Sequence, residues 1–194
     1  MSNKEMKEYL KGLIQKHDYY DPIHDRMEAL RFGNLKNKKI IDIGTGKGYL
    51  AILAAKNFSC NVTTIDISKD KVILAKENAK KEDILDKIKF QLIDAMNIPF
   101  KKNSFDIAIS FNALHHNKKG YIKMVEEMFR VAKEKVIITE LNKNGAKIFD
   151  EYIHSEENHK DMAIDLKELE NKLNQYGKVK KLNRKLMTTF VCEK

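Results

Sequence analysis

The chain of 194 residues is long enough for one α/β domain and too short for two large ones. It has no apolar run that could span a membrane and no signal-peptide pattern at its start, so we expect a cytoplasmic protein. The net charge of +9 comes mostly from dispersed lysines, which favours a generic basic surface over a phosphate-bearing or acidic partner. Cys60 and Cys192 fit no metal-binding spacing.

The N-terminal segment, residues 1–36, predicts a helical cap on the rest of the domain. Two helices are expected between about Lys4 and Arg31, with a hinge near Pro22, because proline disfavours helix immediately before it. Such a cap can also act as a lid on a substrate. Tyr19, Tyr20 and His24 are therefore candidate substrate-binding residues.

A strand followed by three glycines at alternate positions dominates the next segment. Lys39 to Ile43 is rich in isoleucine and predicts a strand buried on both faces. Gly44, Gly46 and Gly48 allow the backbone to turn tightly and approach a ligand at the N-terminus of the following helix. The third glycine of the dinucleotide fingerprint is replaced by Tyr49, so the pattern favours a different nucleotide.

A second strand, residues 61–66, ends in Asp66, about 20 residues after the glycine turn. A carboxylate at this position can accept hydrogen bonds from both ribose hydroxyls. Asp66 or Ser68 could instead cap the helix predicted from about Lys69 to Lys81. We favour ribose binding for Asp66, because the glycine motif and the spacing of Asp66 from it both fit a nucleotide site.

Further strands predict a parallel sheet with a ligand cleft at its carboxyl edge. Residues 88–93 form the third strand and are followed by Asp94, Ala95 and Met96, and residues 105–111 form the fourth. The remaining expected elements are a helix over 119–131, a fifth strand over 135–139, a polar segment over 140–160 that is irregular or part helix, a helix over 165–176 stopped by Gly177, and strands over 178–183 and 187–192.

Four segments in this order resemble small-molecule class I S-adenosylmethionine (SAM) dependent methyltransferases: IDIGTGKGYLA, TTIDIS, DAMNIPFKKNSFDIAISFNALHH and KVIITELN. They are most similar to the ubiquinone/menaquinone-type C-methyltransferase group, over about Lys38 to Asn142. One departure is Val131 to Lys135, where the family usually has a Pro-Gly-Gly turn.

This resemblance implies an α/β, Rossmann-like class I methyltransferase fold, with a seven-stranded, mostly parallel sheet and helices on both faces. It implies a single domain over residues 1–194. Within it, residues 1–36 would form the cap, residues 37–142 the SAM-binding core, and residues 143–194 the last part of the sheet and a substrate-side segment.

The resemblance also implies SAM as cofactor, S-adenosylhomocysteine as product, and roles for eleven residues. Those beneath the methionine and ribose end are Asp42, Gly44, Gly46, Gly48, Ser110 and Phe111. Those around the ribose and adenine are Asp66, Ile67, Asp94, Ala95 and Met96. Asp42 would orient the turn or meet the amino group of SAM. Asp94 would accept from the adenine amino group, or else serve only as a turn residue.

Several classes of methyl acceptor are excluded because the motifs that bind them are missing from the sequence. The Asn/Asp-Pro-Pro-Tyr motif of many nucleic-acid N-methyltransferases is absent where Ser110 to Ala113 stands, and neither a cysteine nor a metal-binding acid follows the fourth strand. A small-molecule acceptor remains, with Asn112 as a candidate contact. An RNA or protein methyltransferase, favoured only by the positive charge, and a SAM-binding module without turnover are the alternatives.

Two histidine pairs invite catalytic or metal hypotheses. His115 and His116 follow the fourth strand, so either could act as a base or orient a substrate, although a structural hydrogen bond is the simpler interpretation. His154 and His159 are five residues apart, which would place them on different faces of a helix. We therefore expect no metal site.

Overall fold

The computed structural model describes residues 22–152 and 163–194, with side chains described for residues 23–147 and 163–194. Several of the predictions made from the sequence concern residues outside these ranges. Tyr19, Tyr20, His154 and His159 lie outside the described residues, and so does the first of the two predicted N-terminal helices.

Helices and strands alternate through most of the described chain. The helices are α1 (Pro22–Gly33), α2 (Tyr49–Phe58), α3 (Lys69–Lys81), α4 (Tyr121–Val131), α5 (Lys143–Tyr152) and α6 (Leu166–Asn174). The strands are β1 (Lys39–Ile43), β2 (Asn61–Asp66), β3 (Ile88–Leu92), β4 (Phe105–Phe111), β5 (Ala132–Leu141), β6 (Lys178–Asn183) and β7 (Met187–Glu193). Short 3₁₀ helices, Leu85–Lys87 and Leu114–Asn117, precede β3 and α4. None of the helices in the described ranges is long and apolar enough to cross a bilayer.

The described strands form one sheet in the order β3-β2-β1-β4-β5-β7-β6. The first five strands of the chain pair in parallel, and β7 runs antiparallel between β5 and β6. The predicted seven-stranded, mostly parallel sheet is therefore confirmed. Strand order reverses between β1 and β4, and ligands bind at such a switch point in open α/β sheets. The carboxyl ends of these two strands therefore frame the candidate site.

Successive residues of β1 enter separate cores on the two faces of the sheet. Ile40 belongs to a cluster with residues of α1 and α2, whereas Ile41 and Ile43 belong to a cluster with residues of α4 and α6. All three side chains are fully buried. Burial of each isoleucine stabilises the fold by roughly 1.5–3 kcal/mol. The uninterrupted apolar run in the sequence thus reflects a strand covered on both faces.

Helix α1 runs against the direction of the strands, so its N-terminal end lies at the ligand edge of the sheet. At its C-terminal end, Lys135 Nζ, early in β5, donates to Gly33 O at 3.1 Å. Near its N-terminal end, Glu28 pairs with Arg184, and Asp25 Oδ1 lies 3.5 Å from Arg184 Nη2. Arg184 precedes β7, whose first residues pair with the carboxyl end of β5. The second predicted N-terminal helix is therefore present, with its N-terminal end toward the ligand edge, and its role as a cap stays a prediction.

Two features lie at the edge of the sheet opposite the ligand edge, and each bears on an expectation from the sequence. Helix α4 ends at Val131 and β5 begins at Ala132, so the connection that departs from the family pattern is as short as a connection can be. Gly177 does not act as a left-handed helix stop, because it is not among the described residues with positive φ. A β-carbon there would lie 1.8 Å from Glu193 O. Glycine is required at 177 because the backbone of β7 passes so closely.

Candidate functional site

The turn between β1 and α2 has the left-handed backbone that the three glycines permit. Gly44, Gly46 and Gly48 have φ values of +85°, +51° and +79°. A β-carbon on Gly44 would lie 2.4 Å from the Ala113 Cβ, and one on Gly48 would lie 2.9 Å from the Ala75 Cβ. A β-carbon on Gly46 would meet nothing within 4 Å. The outer glycines are therefore needed for packing, whereas the middle glycine borders space where a ligand can approach the backbone.

Asp66 links the end of β2 to this turn. Its Oδ2 accepts a hydrogen bond from Gly46 N at 3.0 Å, and its Oδ1 accepts one from Ser68 N at 2.9 Å. Ser68 caps α3, since its Oγ accepts from Lys71 N at 3.4 Å. The next side chain, Ile67, is 71% exposed. Asp66 thus fixes the turn from beside a large exposed apolar side chain, which is the arrangement a nucleoside needs; ribose binding stays a prediction.

Asp42 lies beneath the turn, 1% exposed. Its Oδ2 accepts from Thr64 Oγ1 at 2.8 Å, and Thr64 Oγ1 also lies 2.7 Å from Thr45 Oγ1. Asp42 Oδ1 is buried and has no hydrogen-bond partner among the residues described. Burial raises the pKa of Asp42 to about 7, against the lowering effects of the Thr64 hydrogen bond and the Arg26 charge.

This raised pKa predicts a specific pH dependence of stability. A carboxyl group with a pKa of 3.8 when unfolded and about 7 when folded favours the folded state at low pH and loses that contribution as pH rises toward 7. The charged groups acting on it are Arg26, which lowers the pKa, and Asp66, which raises it. We expect the parent protein to lose stability relative to Asp42→Asn between about pH 4 and pH 7.

Urea unfolding of both proteins at several pH values measures this difference. Comparison with the variant is needed because paired acids such as Glu126 and Glu193 have lowered pKa values, which make stability fall in the acid range instead. A stability difference between parent and Asp42→Asn that stays constant with pH would show that folding does not raise the pKa of Asp42.

The segment Asp94 to Met96, expected beside the adenine, forms a tight turn after β3. Asp94 Oδ1 accepts a hydrogen bond from Met96 N at 2.8 Å. This oxygen therefore stabilises the turn, as the alternative interpretation of Asp94 predicts. The Met96 sulfur lies 3.3 Å from Asn117 Nδ2, in the 3₁₀ helix before α4. This segment therefore contacts the one that follows β4, and together they border the cleft.

A partly buried ion pair that the sequence analysis missed holds the rest of this loop. Glu127 Oε2 accepts from Ile98 N at 2.9 Å and pairs with Arg130 Nη2 at 2.6 Å. Arg130 also donates to Ile98 O at 2.6 Å and to Phe100 O at 2.5 Å. The one signal in the sequence was a Glu and an Arg at i, i+3 on an amphipathic helix, which also fits an ordinary surface pair.

The end of β4 presents two buried polar atoms. Ser110 Oγ and Asn112 Oδ1 have no hydrogen-bond partner within the described part of the chain. Asn112 has a φ of +52°, and its N–H donates to Thr139 O at 2.8 Å. Its Nδ2 lies 3.7 Å from the sulfur of Met187. Asn112 is thus held in a strained conformation at the switch point, and strain of this kind is common at functional sites.

The two histidines after β4 have different surroundings. His115 is buried, and its Nδ1 lies 2.7 Å from Glu140 Oε2, whereas His116 is exposed. Glu140, 1% exposed, uses Oε1 to accept from Ala113 N at 3.1 Å and from Leu114 N at 2.8 Å. The structure therefore places His115 in a buried network that shapes the loop against which Gly44 packs.

Removing the charge of Glu140 is expected to cost stability. In Glu140→Gln one oxygen remains for the two backbone N–H groups, but an NH₂ group faces His115 Nδ1. The loss of a buried charge-assisted hydrogen bond should reduce the free energy of unfolding by about 1.5 kcal/mol. Guanidinium unfolding measures it, with Glu134→Gln, a surface pair of Lys38, as a control expected within about 0.5 kcal/mol. Equal losses in the two variants would contradict the structural role.

Two residues of α1 approach the site from the cap. Arg26 lies over the ring of Phe111, with its Cζ 4.5 Å from the ring centroid. His24 Nδ1 lies 3.1 Å from Arg184 Nη2, and its Nε2 lies 3.8 Å from Glu28 Oε1. His24 thus belongs to an ion-pair network that joins the cap to the β6–β7 turn, and its role in substrate binding stays a prediction. Arg26 was missed, because nothing in the sequence distinguishes it from other helix-surface arginines.

The described residues fit the SAM molecule that the sequence resemblance implies. The turn offers open space at Gly46, the carboxylate of Asp66 lies beside it, and Ile67 is available to pack on a ring. The buried Asp42 Oδ1 has no hydrogen-bond partner among the described residues and could accept a hydrogen bond from a ligand. Among the residues that the structure describes, no cluster of three metal-binding side chains occurs. The site can thus hold an adenosyl group and a polar amino-acid end.

Comparison with known proteins agrees with this geometry. A family model described as "methyltransferase domain" matches residues 34–190. Norajmaline N-methyltransferase from Rauvolfia serpentina is 33% identical over 111 residues, 54% of this chain and 38% of that protein. The 27-O-demethylrifamycin SV methyltransferase from Amycolatopsis mediterranei is 38% identical over 90 residues, 46% of this chain and 32% of that protein. The chain thus spans less than two fifths of the length of either relative.

A solved structure supports the fold. The crystal structure of a SAM-dependent methyltransferase from Aquifex aeolicus has a TM-score of 0.71 and 21% identity, and the match covers 94% of this chain and 97% of that chain. At this identity the likeness establishes the fold alone. The two chains therefore share the same overall fold.

Proposed function

The chain belongs to the family of class I SAM-dependent methyltransferase domains, and we propose that it transfers the methyl group of SAM to a small-molecule acceptor. One observation carries the proposal. The glycine turn after β1 is open at Gly46, and its backbone is held there by Asp66 from the neighbouring strand. The ribose hydroxyls are the donors that such a carboxylate would meet.

Each part of the cofactor has matching residues in this proposal. Asp66 binds the ribose, Ile67 and the Asp94–Met96 turn contact the adenine, and the methionine end lies over the glycine turn toward Phe111. The Glu127–Arg130 pair keeps the adenine loop in place through Ile98 N and two backbone carbonyls. The chain therefore prepares the site before ligand binding, which lowers the ordering cost of binding.

The small-molecule acceptor is supported by the relatives and by the surroundings of Asn112. The two relatives described above are named for methyl transfer to an alkaloid and to a rifamycin. In this chain the acceptor would bind near Asn112 and Met187, beside the ion-pair network that joins α1 to the β6–β7 turn. Asn112 Oδ1, without a partner among the described residues, could accept a hydrogen bond from an acceptor hydroxyl or amine.

Catalysis in this proposal depends mainly on orientation. SAM supplies a methyl group on a sulfonium, which is already activated for transfer. The protein's residues then have to hold the acceptor in line with that methyl group and exclude water, and this positioning can supply most of the rate enhancement. A general base is needed only where the acceptor must lose a proton. Because His115 is buried against Glu140, a base drawn from this pair would be the exposed His116.

Methyl-labelled SAM provides the test. The protein is incubated separately with a small-molecule extract, total RNA and a protein fraction, and labelled species are identified by mass spectrometry. Label in small metabolites is the expected result, and the labelled atom would show whether the finer resemblance to the C-methyltransferase group extends to chemistry. Label confined to RNA or protein would overturn the small-molecule proposal, and SAM binding without any labelled product would indicate a module without turnover.

A further inference from the structure

A single carboxylate, that of Glu140 near the end of β5, holds the loop that follows β4. Its partners belong to three consecutive residues and lie between 2.7 and 3.1 Å from its oxygens: Ala113 N, Leu114 N and His115 Nδ1. The residue before these three, Asn112, donates its N–H to Thr139 O at 2.8 Å. Four consecutive residues of the loop are therefore attached to two consecutive residues of β5.

This attachment fixes the conformation of Asn112. Its φ of +52° lies in the left-handed region, which a residue other than glycine keeps only where the surrounding contacts hold it there. The contacts that follow it in the chain all end on Glu140, which is 1% exposed, so water cannot replace that carboxylate. The Asn112 Oδ1, which is the proposed contact for the methyl acceptor, is thus oriented by a buried side chain behind the loop.

The glycine turn is attached to a different strand. Gly44 N and Thr45 N both donate to Ile65 O, at 2.9 and 3.0 Å. Gly46 N donates to Asp66 Oδ2 at 3.0 Å. These acceptors lie on β2, whereas the loop after β4 is bound to β5, on the other side of the switch point. A change at Glu140 should therefore disturb the acceptor side of the site more than the cofactor side.

We propose that Glu140 is a positioning residue for methyl transfer, which acts through Asn112 by fixing the loop that carries it. The inference rests on the proposed function and extends it to the end of β5. A carboxylate suits this task because its two oxygens accept several hydrogen bonds at once, whereas an amide offers one oxygen and a donor. Transfer in line with the sulfonium depends on orientation, so a small displacement of the acceptor contact lowers the rate strongly.

Glu140→Gln and Asn112→Gly test the proposal. The first keeps the shape of the side chain and removes its charge, and the second removes the amide at a φ that glycine adopts readily. Methyl-labelled SAM at saturating concentration, with a dilution series of the small-molecule extract, gives the maximal rate of label transfer. We expect each substitution to lower this rate by about 30-fold. The dissociation constant of S-adenosylhomocysteine, measured by calorimetry, should change by no more than about twofold in Glu140→Gln.

The double variant shows whether Glu140 acts through Asn112. In Asn112→Gly the amide is already absent, so Glu140→Gln has no acceptor contact left to displace. The double variant should then be no more than about threefold slower than the slower single variant. Independent effects would instead multiply to a loss of about 900-fold, and that result would overturn the inference. Binding of S-adenosylhomocysteine that weakens as much as the rate falls would overturn it as well.

Ile137→Val is the control for stability. Ile137 is fully buried in the same strand as Glu140 and packs in the core with α1 and α2. Loss of one buried methyl group should lower the unfolding temperature in a similar way, while the transfer rate stays within about twofold of the parent. A comparable rate loss in Ile137→Val would assign the effect to general destabilisation and overturn the inference. A parent that binds SAM but labels nothing in the extract would overturn the proposed function as well, so the two failures are distinguishable.

Discussion

Replacing Asp66 with alanine is expected to weaken SAM binding by about a hundredfold or more. The carboxylate would lose charge-assisted hydrogen bonds to the ribose, each of which contributes roughly 1.5–3 kcal/mol when one partner is ionised. The variant also removes the acceptor that Gly46 N meets at 3.0 Å. The turn would therefore lose part of its preorganisation, which adds to the loss of direct contact. Equilibrium binding of SAM and S-adenosylhomocysteine measures the effect.

Two comparisons make the Asp66 experiment specific. Asp70→Ala removes an exposed acid from the first turn of α3 and should leave the dissociation constant within about twofold. Methylthioadenosine keeps the ribose and lacks the amino-acid end, so its binding should fall in Asp66→Ala by a factor similar to that for SAM. If Asp66→Ala folds and binds both ligands as the parent does, the ribose assignment is wrong.

The architecture could be predicted from the sequence because it depends on local patterns. Ile40 and Ile41 face opposite cores, and an unbroken apolar run of strand length predicts a strand of that kind. The three glycines predicted a tight turn after β1, and all three have the positive φ that glycine permits. These features require only the residue and its near neighbours, so a single sequence is sufficient to predict them.

The contacts that stabilise the site could not be predicted, since they join distant parts of the chain. Glu140 pairs with His115 across 25 residues, and Arg184 pairs with Glu28 across 156. Each partner alone resembles an ordinary surface residue, and only the sheet order brings the two together. The position of Arg26 is of the same kind, because it depends on how α1 packs over β4. Sequence patterns located the glycine turn, whereas tertiary packing determines what surrounds it.

The same distinction predicts opposite outcomes for two neighbouring glycines. Gly48→Val should reduce the free energy of unfolding by about 4 kcal/mol, which is a large share of the roughly 5–15 kcal/mol that stabilises a typical domain. Its φ of +79° is unfavourable for a β-branched residue, and its β-carbon would lie 2.9 Å from the Ala75 Cβ and 3.2 Å from the Ala75 Cα. The backbone strain and the overpacking against α3 add to each other. Thermal unfolding followed by circular dichroism measures the loss.

Gly46→Ala should leave the fold largely intact and weaken SAM binding strongly. Its φ of +51° costs alanine about 1 kcal/mol, but its β-carbon meets no atom within 4 Å. That open space is where we expect the cofactor to approach the backbone, so the added methyl group should weaken binding by about a hundredfold through steric exclusion. Gly48→Ala is the matched comparison, because it adds the same methyl group against α3 and should mainly lower stability. A Gly46→Ala variant that folds and binds SAM at full affinity would mean that the cofactor does not lie over this turn.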